Sequence, residues 1–528
     1  MGLRDSYTQE HFRRARLSRD KRFDGIFYVG VYSTGIYCRP ICPAPSAKES
    51  NVGYFRSALA AANAGLRPCL RCRPDSAPQS NPWIGTQTSV NRALALINGG
   101  ALSGPNALSI EALAEKLGIT SRYLRDLFHQ HIGASPKQYA LYRQLMFAKQ
   151  LLHQTKMPIT DVAFAAGFNS VRRFNELFQQ QLQMTPSSLR KSTLRNSAIS
   201  KSTIRKSEVC QNATETHLGD DPASLNLILS YRPPFNWPHM REFYRLRQVE
   251  GMEWIGDDHY GRSFQWQGVT GYFLAYHLED AASFRVKIVL SEPEELVHLS
   301  AIVANIRRVL DLDADLAEVE QRLSDTALNL PRINSGVRIP GIWSPFEAAC
   351  RAVLGQQVSV TQAIKLLGQL VNAYGEQLNI EGKAVTLFPT PDAIAAARLD
   401  ELKMPGIRKQ ALIALAELLV HKPEAQLEEW LEIKGIGPWT LDYVRLRGLS
   451  LPDVLLTGDL VVKNQILSHL PQSQQMQCCS EPKLNEKSLD EKSIKRLKQK
   501  AYMSYSTELA KQVSPWGSYL TFQLWSLQ

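Results

Sequence analysis

The chain has few cysteines and lacks any long apolar run. Only 8 of its 528 residues are cysteine. No stretch approaches the roughly 18 consecutive apolar residues of a membrane span. The N-terminal residues are rich in Arg and acidic side chains, without the apolar core of a signal peptide. We therefore expect no membrane partner and no secretion, and closely spaced cysteines in such a chain point to metal binding rather than disulfides.

Acidic residues are scarce in the front part of the chain. Residues 1–80 hold 13 Lys and Arg against 6 Asp and Glu, and residues 81–207 hold 16 against 5. The remainder holds 32 against 39, so it is acidic overall. The basic front part predicts nucleic-acid binding there, whereas any DNA contact of the acidic part must be local.

The chain is too long for one ordinary core, so several domains are expected. Changes in hydrophobic periodicity and in composition along the sequence mark the domain boundaries. The predicted segments are a small α+β domain at 1–80, an all-α domain at 83–191, a linker at 192–222, an α+β domain at 223–295 and an all-α domain at 296–528 that carries a polar insertion at 472–499. The predicted fold class is therefore multidomain, with two α+β and two all-α parts.

Half of the cysteines lie in one basic cluster near the N-terminus. They are Cys38, Cys42, Cys69 and Cys72, and they form a C-x3-C pair and a C-x2-C pair with 26 residues between them. Two close thiol pairs at this separation can converge on one tetrahedral Zn²⁺ ion. Taken by itself, this spacing favours a structural zinc knuckle.

The residues around both pairs resemble the methyl-phosphotriester domain of the Ada adaptive-response family. The matching segments are Thr34-Gly-Ile-Tyr-Cys38-Arg-Pro-Ile-Cys42-Pro and Gly65-Leu-Arg-Pro-Cys69-Leu-Arg-Cys72-Arg-Pro-Asp75, and the resemblance covers residues 5–77. It implies that Cys38 accepts a methyl group from a methylated DNA phosphate, while the other three cysteines complete the zinc site. A zinc-bound thiol is a nucleophilic thiolate. Methylation would lower the negative charge of the site, so DNA binding should then tighten.

Residues 83–191 contain two copies of a motif that consists of a helix, a Gly-containing turn and a second helix. The first helix and the turn are Ile110 to Ser121 in one copy and Ile159 to Ser170 in the other. The second helix follows directly in each copy, as in a helix-turn-helix. The second copy resembles the AraC-family DNA-binding domain. A single motif of this kind is also compatible with a plain helical hairpin, but two in a basic segment favour DNA binding. The expected DNA-facing residues are Arg122, Tyr123, Arg125, Arg172, Arg173 and Asn175, whereas Phe128, Phe168, Phe174 and Phe178 are interpreted as core.

The segment from Leu431 to Thr440 predicts a helix, a G-x-G turn at Gly435 and Gly437, and another helix. Backbone N–H groups of such a hairpin can bind a DNA phosphate. Asp459 follows 22 residues after Gly437. This arrangement resembles the helix-hairpin-helix DNA glycosylases, and residues 225–528 resemble the 3-methyladenine glycosylase II (AlkA) type. The resemblance implies that Asp459 is the catalytic carboxylate, and that hairpin carbonyls can hold a monovalent cation; a plain helix cap is the alternative for Asp459.

Trp439 stands where related enzymes that also cleave the DNA backbone carry a Schiff-base lysine. Tryptophan cannot form that intermediate, so a monofunctional enzyme that uses water is expected. The resemblance also implies an aromatic pocket for a flipped-out cationic base, made by Trp439, Tyr443, Trp525 and Phe243, although each ring is also compatible with simple core packing. Gln357 falls where the family places a leucine wedge, so a polar wedge is predicted.

Together these features favour a DNA repair enzyme joined to a damage-sensing transcription regulator. It would excise alkylated bases from double-stranded DNA, bind promoter sites, work with RNA polymerase and reside in the bacterial cytoplasm near the nucleoid. Two alternatives stay open: a regulator whose C-terminal half is catalytically inactive, and a scaffold that tethers DNA without taking up methyl. The Pro-Cys-His-Arg segment of the Ada family's second methyl acceptor is missing, so repair of O6-methylguanine is not predicted.

Overall fold

The computed structural model describes residues 9–19, 27–42, 44–55, 61, 64–69, 72, 86–105, 107–190, 224–325, 328, 332–423, 425–469 and 491–527. The chain forms two compact units, Met1–Phe147 with Ala166–Arg173, and Ala148–Ala165 with Phe174–Gln528. The predicted linker at 192–222 and residues 472–490 of the predicted insertion lie outside the described residues. None of the described helices is both long and apolar enough to cross a membrane.

A small sheet organises the cysteine-containing domain. Its elements are the helix Gln9–Leu17, the 3-10 helix Glu49–Asn51 and the strands β1 (Tyr28–Val31), β2 (Ile36–Cys38), β3 (Val52–Phe55) and β4 (Arg67–Pro68), in the sheet order β3-β1-β2-β4. Strands β2 and β4 are parallel, and Tyr37 pairs with Pro68. Parallel neighbours end at the same edge of a sheet. Cys38, the last residue of β2, and Cys69, which directly follows β4, are thereby brought side by side.

The segment that follows is helical, as predicted. Its helices are Thr86–Asn98, Ile110–Lys116, Ser121–Ile132, Pro136–Gln154, Ile159–Ala165 and Val171–Leu182. Gly118 and Gly167 occupy the two turns with φ of +68° and +85°, a left-handed conformation that glycine adopts without side-chain strain. The four phenylalanines interpreted as core are all buried, which confirms that interpretation.

A five-stranded antiparallel sheet begins the C-terminal half. Its strands are β5 (Ser224–Ser230), β6 (Glu253–Ile255), β7 (His259–Trp266), β8 (Val269–Leu278) and β9 (Ser283–Leu290), in the order β5-β9-β8-β7-β6. The helix Trp237–Arg245 lies between β5 and β6 in the chain and buries Trp237, Met240, Phe243 and Tyr244. This spacing gives the helix one apolar face, from which Phe243 reaches the helical domain.

The last domain is mainly helical. Its elements are Leu299–Val309, Leu316–Ser324, Pro345–Leu354, Val360–Tyr374, Pro391–Ala395, Gly406–His421, Pro438–Tyr443, Leu460–Ser468, Glu491–Val513 and Gly517–Trp525, with a 3-10 helix Leu427–Glu432 and a π-helix at Val444–Gly448. Two further 3-10 helices belong to the sheet region: Glu279–Ala281 connects β8 to β9, and Pro293–His298 follows β9. Residues 491–499 of the predicted insertion thus form the start of a long helix. A hairpin that the sequence patterns did not predict, β10 (Gln377–Ile380) and β11 (Lys383–Thr386), packs Ile380 and Val385 on the five-stranded sheet.

Four charged side chains are buried together between the helix Pro345–Leu354 and the five-stranded sheet. The closest nitrogen and oxygen atoms of Arg262 and Glu347 are 2.8 Å apart, and Arg351 lies 2.8 Å from Glu347 and 3.1 Å from Glu253. Burial by itself would raise the pKa of Glu347, but the two guanidinium groups hold it below its usual value. This network joins the sheet to the helical domain.

We expect Glu347→Ala to lower the free energy of unfolding by about 3–5 kcal/mol, because two arginines would stay buried without their partner. Urea unfolding followed by tryptophan fluorescence measures the loss, since most of the nine tryptophans lie in residues 224–528. Glu508 forms an exposed pair with Lys511 and provides the matched control. Glu508→Ala should hardly change the midpoint; equal losses in both variants would contradict a stabilising buried network.

Candidate metal centre and candidate active site

The four predicted cysteine ligands meet at one edge of the small sheet. Their sulfur atoms all lie within 4.8 Å of one another. A tetrahedral site with Zn–S bonds of about 2.3 Å needs sulfur atoms roughly 3.8 Å apart, so a small inward shift completes it. Cys69 and Cys72 are buried, whereas Cys38 and Cys42 are half-buried. The donor set and its geometry fit one Zn²⁺ ion.

These thiols need a cation if all are to be thiolates. A hydrogen bond to Cys72 and burial raise the pKa of Cys38 far above its usual range, and burial raises the pKa of Cys42 to about 11. The sulfur of Cys72 also accepts a hydrogen bond from the Arg39 backbone N–H at 3.2 Å. A bound divalent cation would offset the mutual repulsion and hold the four groups deprotonated.

A cavity of about 560 Å³ opens beside Cys38. The guanidinium-bearing residues Arg16, Arg19 and Arg39 line it. Each of the three donates a hydrogen bond to a backbone carbonyl of the same domain, which fixes its position. Sequence reasoning missed Arg16 and Arg19, because nothing local connects them to a cysteine some twenty residues away. Arg16 also forms an ion pair with Glu49, whereas no ion pair with a carboxylate is found for Arg19 among the described residues. A half-buried thiol beside these arginines suits an approach by the anionic DNA backbone.

The predicted DNA-facing arginines are exposed on the second helix of each helix-turn-helix. They are Arg122 and Arg125 in the first motif and Arg172 and Arg173 in the second. In the first motif, a nitrogen of Arg125 lies 2.9 Å from a carboxylate oxygen of Glu111. A DNA phosphate that binds Arg125 would have to displace the Glu111 carboxylate. Breaking this exposed ion pair costs little free energy.

The hairpin contains the predicted turn, and its two glycines differ in their surroundings. Gly435 has φ of +102°, and a Cβ added there would lie 3.1 Å from Ala411 Cβ, so both backbone and packing require glycine. Gly437 is extended, and a Cβ added there would meet nothing within 4 Å among the described residues. The backbone at Gly437 is therefore open to a close approach by another molecule.

The predicted wedge residue lies in the turn after the helix Pro345–Leu354. Gln357 is exposed and has φ of +57°, a left-handed conformation that is uncommon for residues other than glycine. Its neighbour Gln356 donates from Nε2 to the carbonyl oxygen of Gly435 at 3.0 Å. This hydrogen bond, which no local sequence signal predicts, ties the wedge turn to the hairpin.

Asp459 lies at the N-terminus of the helix Leu460–Ser468. Its Oδ1 accepts hydrogen bonds from the backbone N–H groups of Val461 at 3.0 Å and Val462 at 3.1 Å, and from Trp525 Nε1 at 3.1 Å. A helix N-terminus favours a negative charge. Within the described part of the chain, Oδ1 accepts all the hydrogen bonds of the Asp459 carboxylate. The helix cap therefore orients the carboxylate and leaves Oδ2 for water or another ligand.

The predicted aromatic side chains lie together beside Asp459. The rings of Trp525 and Phe243 stack with centroids 6.1 Å apart, and those of Trp439 and Tyr443 stack at 5.6 Å. Trp439 also lies against the turn that precedes Asp459. Trp439, Tyr443 and Trp525 are half-buried, but Phe243 is only 8% exposed. Phe243 thus lies behind Trp525 instead of forming an open wall of the pocket.

Three protein families match successive parts of the chain. Residues 11–75 match the metal binding domain of Ada, residues 113–192 match a helix-turn-helix domain, and residues 226–344 match the AlkA N-terminal domain. These matches confirm the family resemblances on which the sequence predictions depend.

Similar proteins cover the same parts. A probable bifunctional transcriptional activator/DNA repair enzyme AlkA of Mycobacterium tuberculosis is 33% identical over 459 residues, which are 85% of this chain and 87% of that protein. DNA-3-methyladenine glycosylase 2 of Escherichia coli is 32% identical over 46% of this chain and 88% of its own length. The bifunctional transcriptional activator/DNA repair enzyme Ada of Escherichia coli is 29% identical, over 33% of this chain and 47% of that protein. Because the first of these relatives is 33% identical over 85% of this chain and 87% of its own length, this chain belongs to the family of bifunctional transcriptional activator/DNA repair enzymes of the AlkA type.

Proposed function

We propose that this protein repairs alkylated DNA and regulates that repair. The C-terminal half is a monofunctional glycosylase that removes alkylated bases of the 3-methyladenine type, and the N-terminal half is a methyl-phosphotriester sensor that binds DNA. The observation that carries the proposal is the Asp459 carboxylate, oriented by Trp525 and a helix N-terminus beside a group of aromatic rings. The relative from Mycobacterium tuberculosis, named an activator and a repair enzyme, supports the pairing of the two functions.

Base release requires stabilisation of positive charge on the sugar. As the glycosidic bond breaks, its electron pair leaves with the base, and the carboxylate of Asp459 stabilises the cationic deoxyribose or orients the attacking water. Water adds to the sugar carbon and loses a proton. Trp439 offers no amine for a Schiff base, so the product is an abasic site. The flipped-out base stacks on the aromatic rings.

Methyl transfer to Cys38 is stoichiometric. The Cys38 thiolate attacks the methyl carbon of a phosphotriester, a C–S bond forms, the C–O bond breaks, and a normal anionic phosphodiester is left. Four thiolates and one Zn²⁺ carry a formal charge of about −2, and the thioether reduces it to about −1. The loss of repulsion tightens DNA binding, and the gain shrinks as salt rises. The half-burial of Cys38 and its arginine-lined cavity support this role.

Further proposals concern partners and ions. The four helix-turn-helix arginines contact promoter DNA in the major groove. RNA polymerase is the proposed protein partner of the activator, and the bacterial cytoplasm near the nucleoid is its proposed location. A monovalent cation is proposed to bind to backbone carbonyls of the hairpin. Gln357 is proposed to fill the space that the flipped base leaves.

Asp459→Asn should slow release of 3-methyladenine from alkylated DNA by about a hundredfold or more, because the neutral amide cannot stabilise the cationic sugar. The amide oxygen can still accept the three hydrogen bonds of Oδ1, so folding and DNA binding should persist. Chromatography of released base under single-turnover conditions gives the rate. Asp315→Asn, at the start of the helix Leu316–Ser324, is the matched control and should keep the wild-type rate. A wild-type protein without base release would favour the regulator with an inactive C-terminal half.

Cys38→Ala should abolish methyl uptake from DNA that contains methyl phosphotriesters. Mass spectrometry of the intact protein after exposure to such DNA detects the added methyl, peptide mapping locates it, and native spectra should show one zinc ion per wild-type chain. Cys350→Ala, at a buried cysteine of the helical domain, is the control and should leave uptake intact. Continued uptake by Cys38→Ala would show that another group accepts the methyl.

Gly437→Val should raise the DNA concentration for half-maximal base release by roughly tenfold, the equivalent of about one phosphate hydrogen bond. The valine would occupy the open space at the hairpin, while the extended backbone accepts it without strain. Gly435→Val is the contrasting variant, because its positive φ and contact with Ala411 predict a lower unfolding midpoint instead. If Gly437→Val left the concentration dependence unchanged, no phosphate would approach at this glycine.

A further inference from the structure

Two arginine side chains pack on the aromatic rings behind the candidate active site. The guanidinium carbons of Arg247 and Arg447 lie 3.7 Å and 4.7 Å from the centroid of the Phe243 ring. Arg447 also lies 5.8 Å from the Tyr443 ring centroid and donates from Nη1 to the Tyr443 hydroxyl at 3.0 Å. Two of the four aromatic rings near Asp459 are thus already in contact with a cation.

Backbone and hydroxyl oxygens, not carboxylates, bind these two arginines. Arg447 is 2% exposed and donates to the Pro340 carbonyl at 2.8 Å, and Arg247 donates to the Phe243 carbonyl at 3.3 Å. Neither forms an ion pair with a carboxylate in the part of the chain that the structure describes. Burial and the like charge of Arg447 lower the pKa of Arg247 to about 10, which still leaves it protonated at neutral pH. The Asp459 carboxylate acts on Arg247 only at longer range, where it raises the pKa of Arg247 slightly against these effects. Two guanidinium groups without a directly paired carboxylate therefore lie behind the pocket.

A local irregularity of the backbone directs Arg447 inward. It belongs to the π-helix Val444–Gly448, which directly follows the hairpin helix. Such turns hold one extra residue and recur at functional sites. Within this turn Arg447 is buried, whereas Arg445 reaches the surface and pairs with Asp442 and Glu428. The π-helix thus places the side chain of Arg447 against the aromatic rings.

We propose that Arg247 and Arg447 determine base specificity by lowering the enzyme's preference for positively charged over neutral damaged purines. The proposal rests on the glycosylase function proposed above. A cation is attracted to the electron-rich face of an aromatic ring. Because the pocket residue Tyr443 already interacts with the guanidinium group of Arg447, and because both arginine charges repel a cationic base, the net attraction for such a base is reduced. A neutral purine meets no such repulsion and stacks on the two tryptophans, so the two arginine charges act selectively against the cationic base.

The test compares two lesions in the same duplex sequence, N7-methylguanine, which is cationic, and hypoxanthine, which is neutral. Arg247→Met keeps most of the side-chain volume and removes the charge. The ratio of kcat/KM for N7-methylguanine to kcat/KM for hypoxanthine, measured under single-turnover conditions, should rise about fivefold or more in Arg247→Met. The reason is that a repulsive charge acts only on the cationic base. Arg447→Met should shift the ratio in the same direction and provides a second variant should the first fold poorly.

Two controls separate charge from packing. Arg247→Lys keeps the positive charge and should keep the wild-type ratio, and Arg245→Met changes an exposed arginine two residues away and should do the same. An unchanged ratio in both Met variants, or an equal loss of rate on both lesions, would overturn the specificity role. Wild-type protein that releases neither base would instead contradict the proposed glycosylase function itself.

Discussion

The hydrogen bond from Trp525 to Asp459 joins parts of the chain that are 66 residues apart and orders the whole candidate active site. It orients the carboxylate together with the helix N-terminus, and it fixes the indole ring that stacks on Phe243. Phe243 belongs to the preceding α+β domain, so the site is complete only while the two domains stay together. The buried pair of Arg262 and Glu347 holds that arrangement. The same network reaches the pocket, because Arg351, the partner of Glu347, donates from Nη1 to the Arg247 carbonyl at 3.2 Å.

Positive charge has opposite consequences at the two candidate sites. Around Cys38, three arginines line a cavity, where the proposed sensor would attract the DNA backbone that carries the methyl group. Behind the aromatic pocket, Arg247 and Arg447 oppose a cationic base while leaving stacking unaffected. A pocket that depended on cation binding alone would bind only the most strongly charged lesions. Under the proposal, the two fixed guanidinium groups lower the affinity for cationic bases. The choice between damaged bases then depends more on the shape of the base and on how readily it leaves the sugar.

The sequence predicted those features that depend on local spacing. The cysteine pairs, the two helix-turn-helix copies and the interval from Gly437 to Asp459 are short-range patterns, and each folds as its pattern indicates. Contacts between distant segments correspond to no recognisable short-range pattern in the sequence. The link from Gln356 to Gly435 spans 79 residues, and the β10–β11 hairpin and the burial of Arg447 depend on tertiary packing. Even the different roles of Gly435 and Gly437 follow from backbone angles and neighbours, not from the G-x-G pattern.

The fused chain pairs a reaction that occurs once with a reaction that repeats. The proposed methyl transfer would consume the Cys38 thiolate, because a thioether has no proton to lose and cannot return to the charged form. The proposed hydrolysis beside Asp459 would leave the carboxylate unchanged, so the site could act again after each base is released. Under this proposal, the number of methylated chains would record the number of phosphotriesters repaired, whereas the glycosylase of the same chain would continue to act. With both functions on one polypeptide, each newly made sensor brings one catalytic site with it, so the capacity for detection and the capacity for base removal rise in fixed proportion.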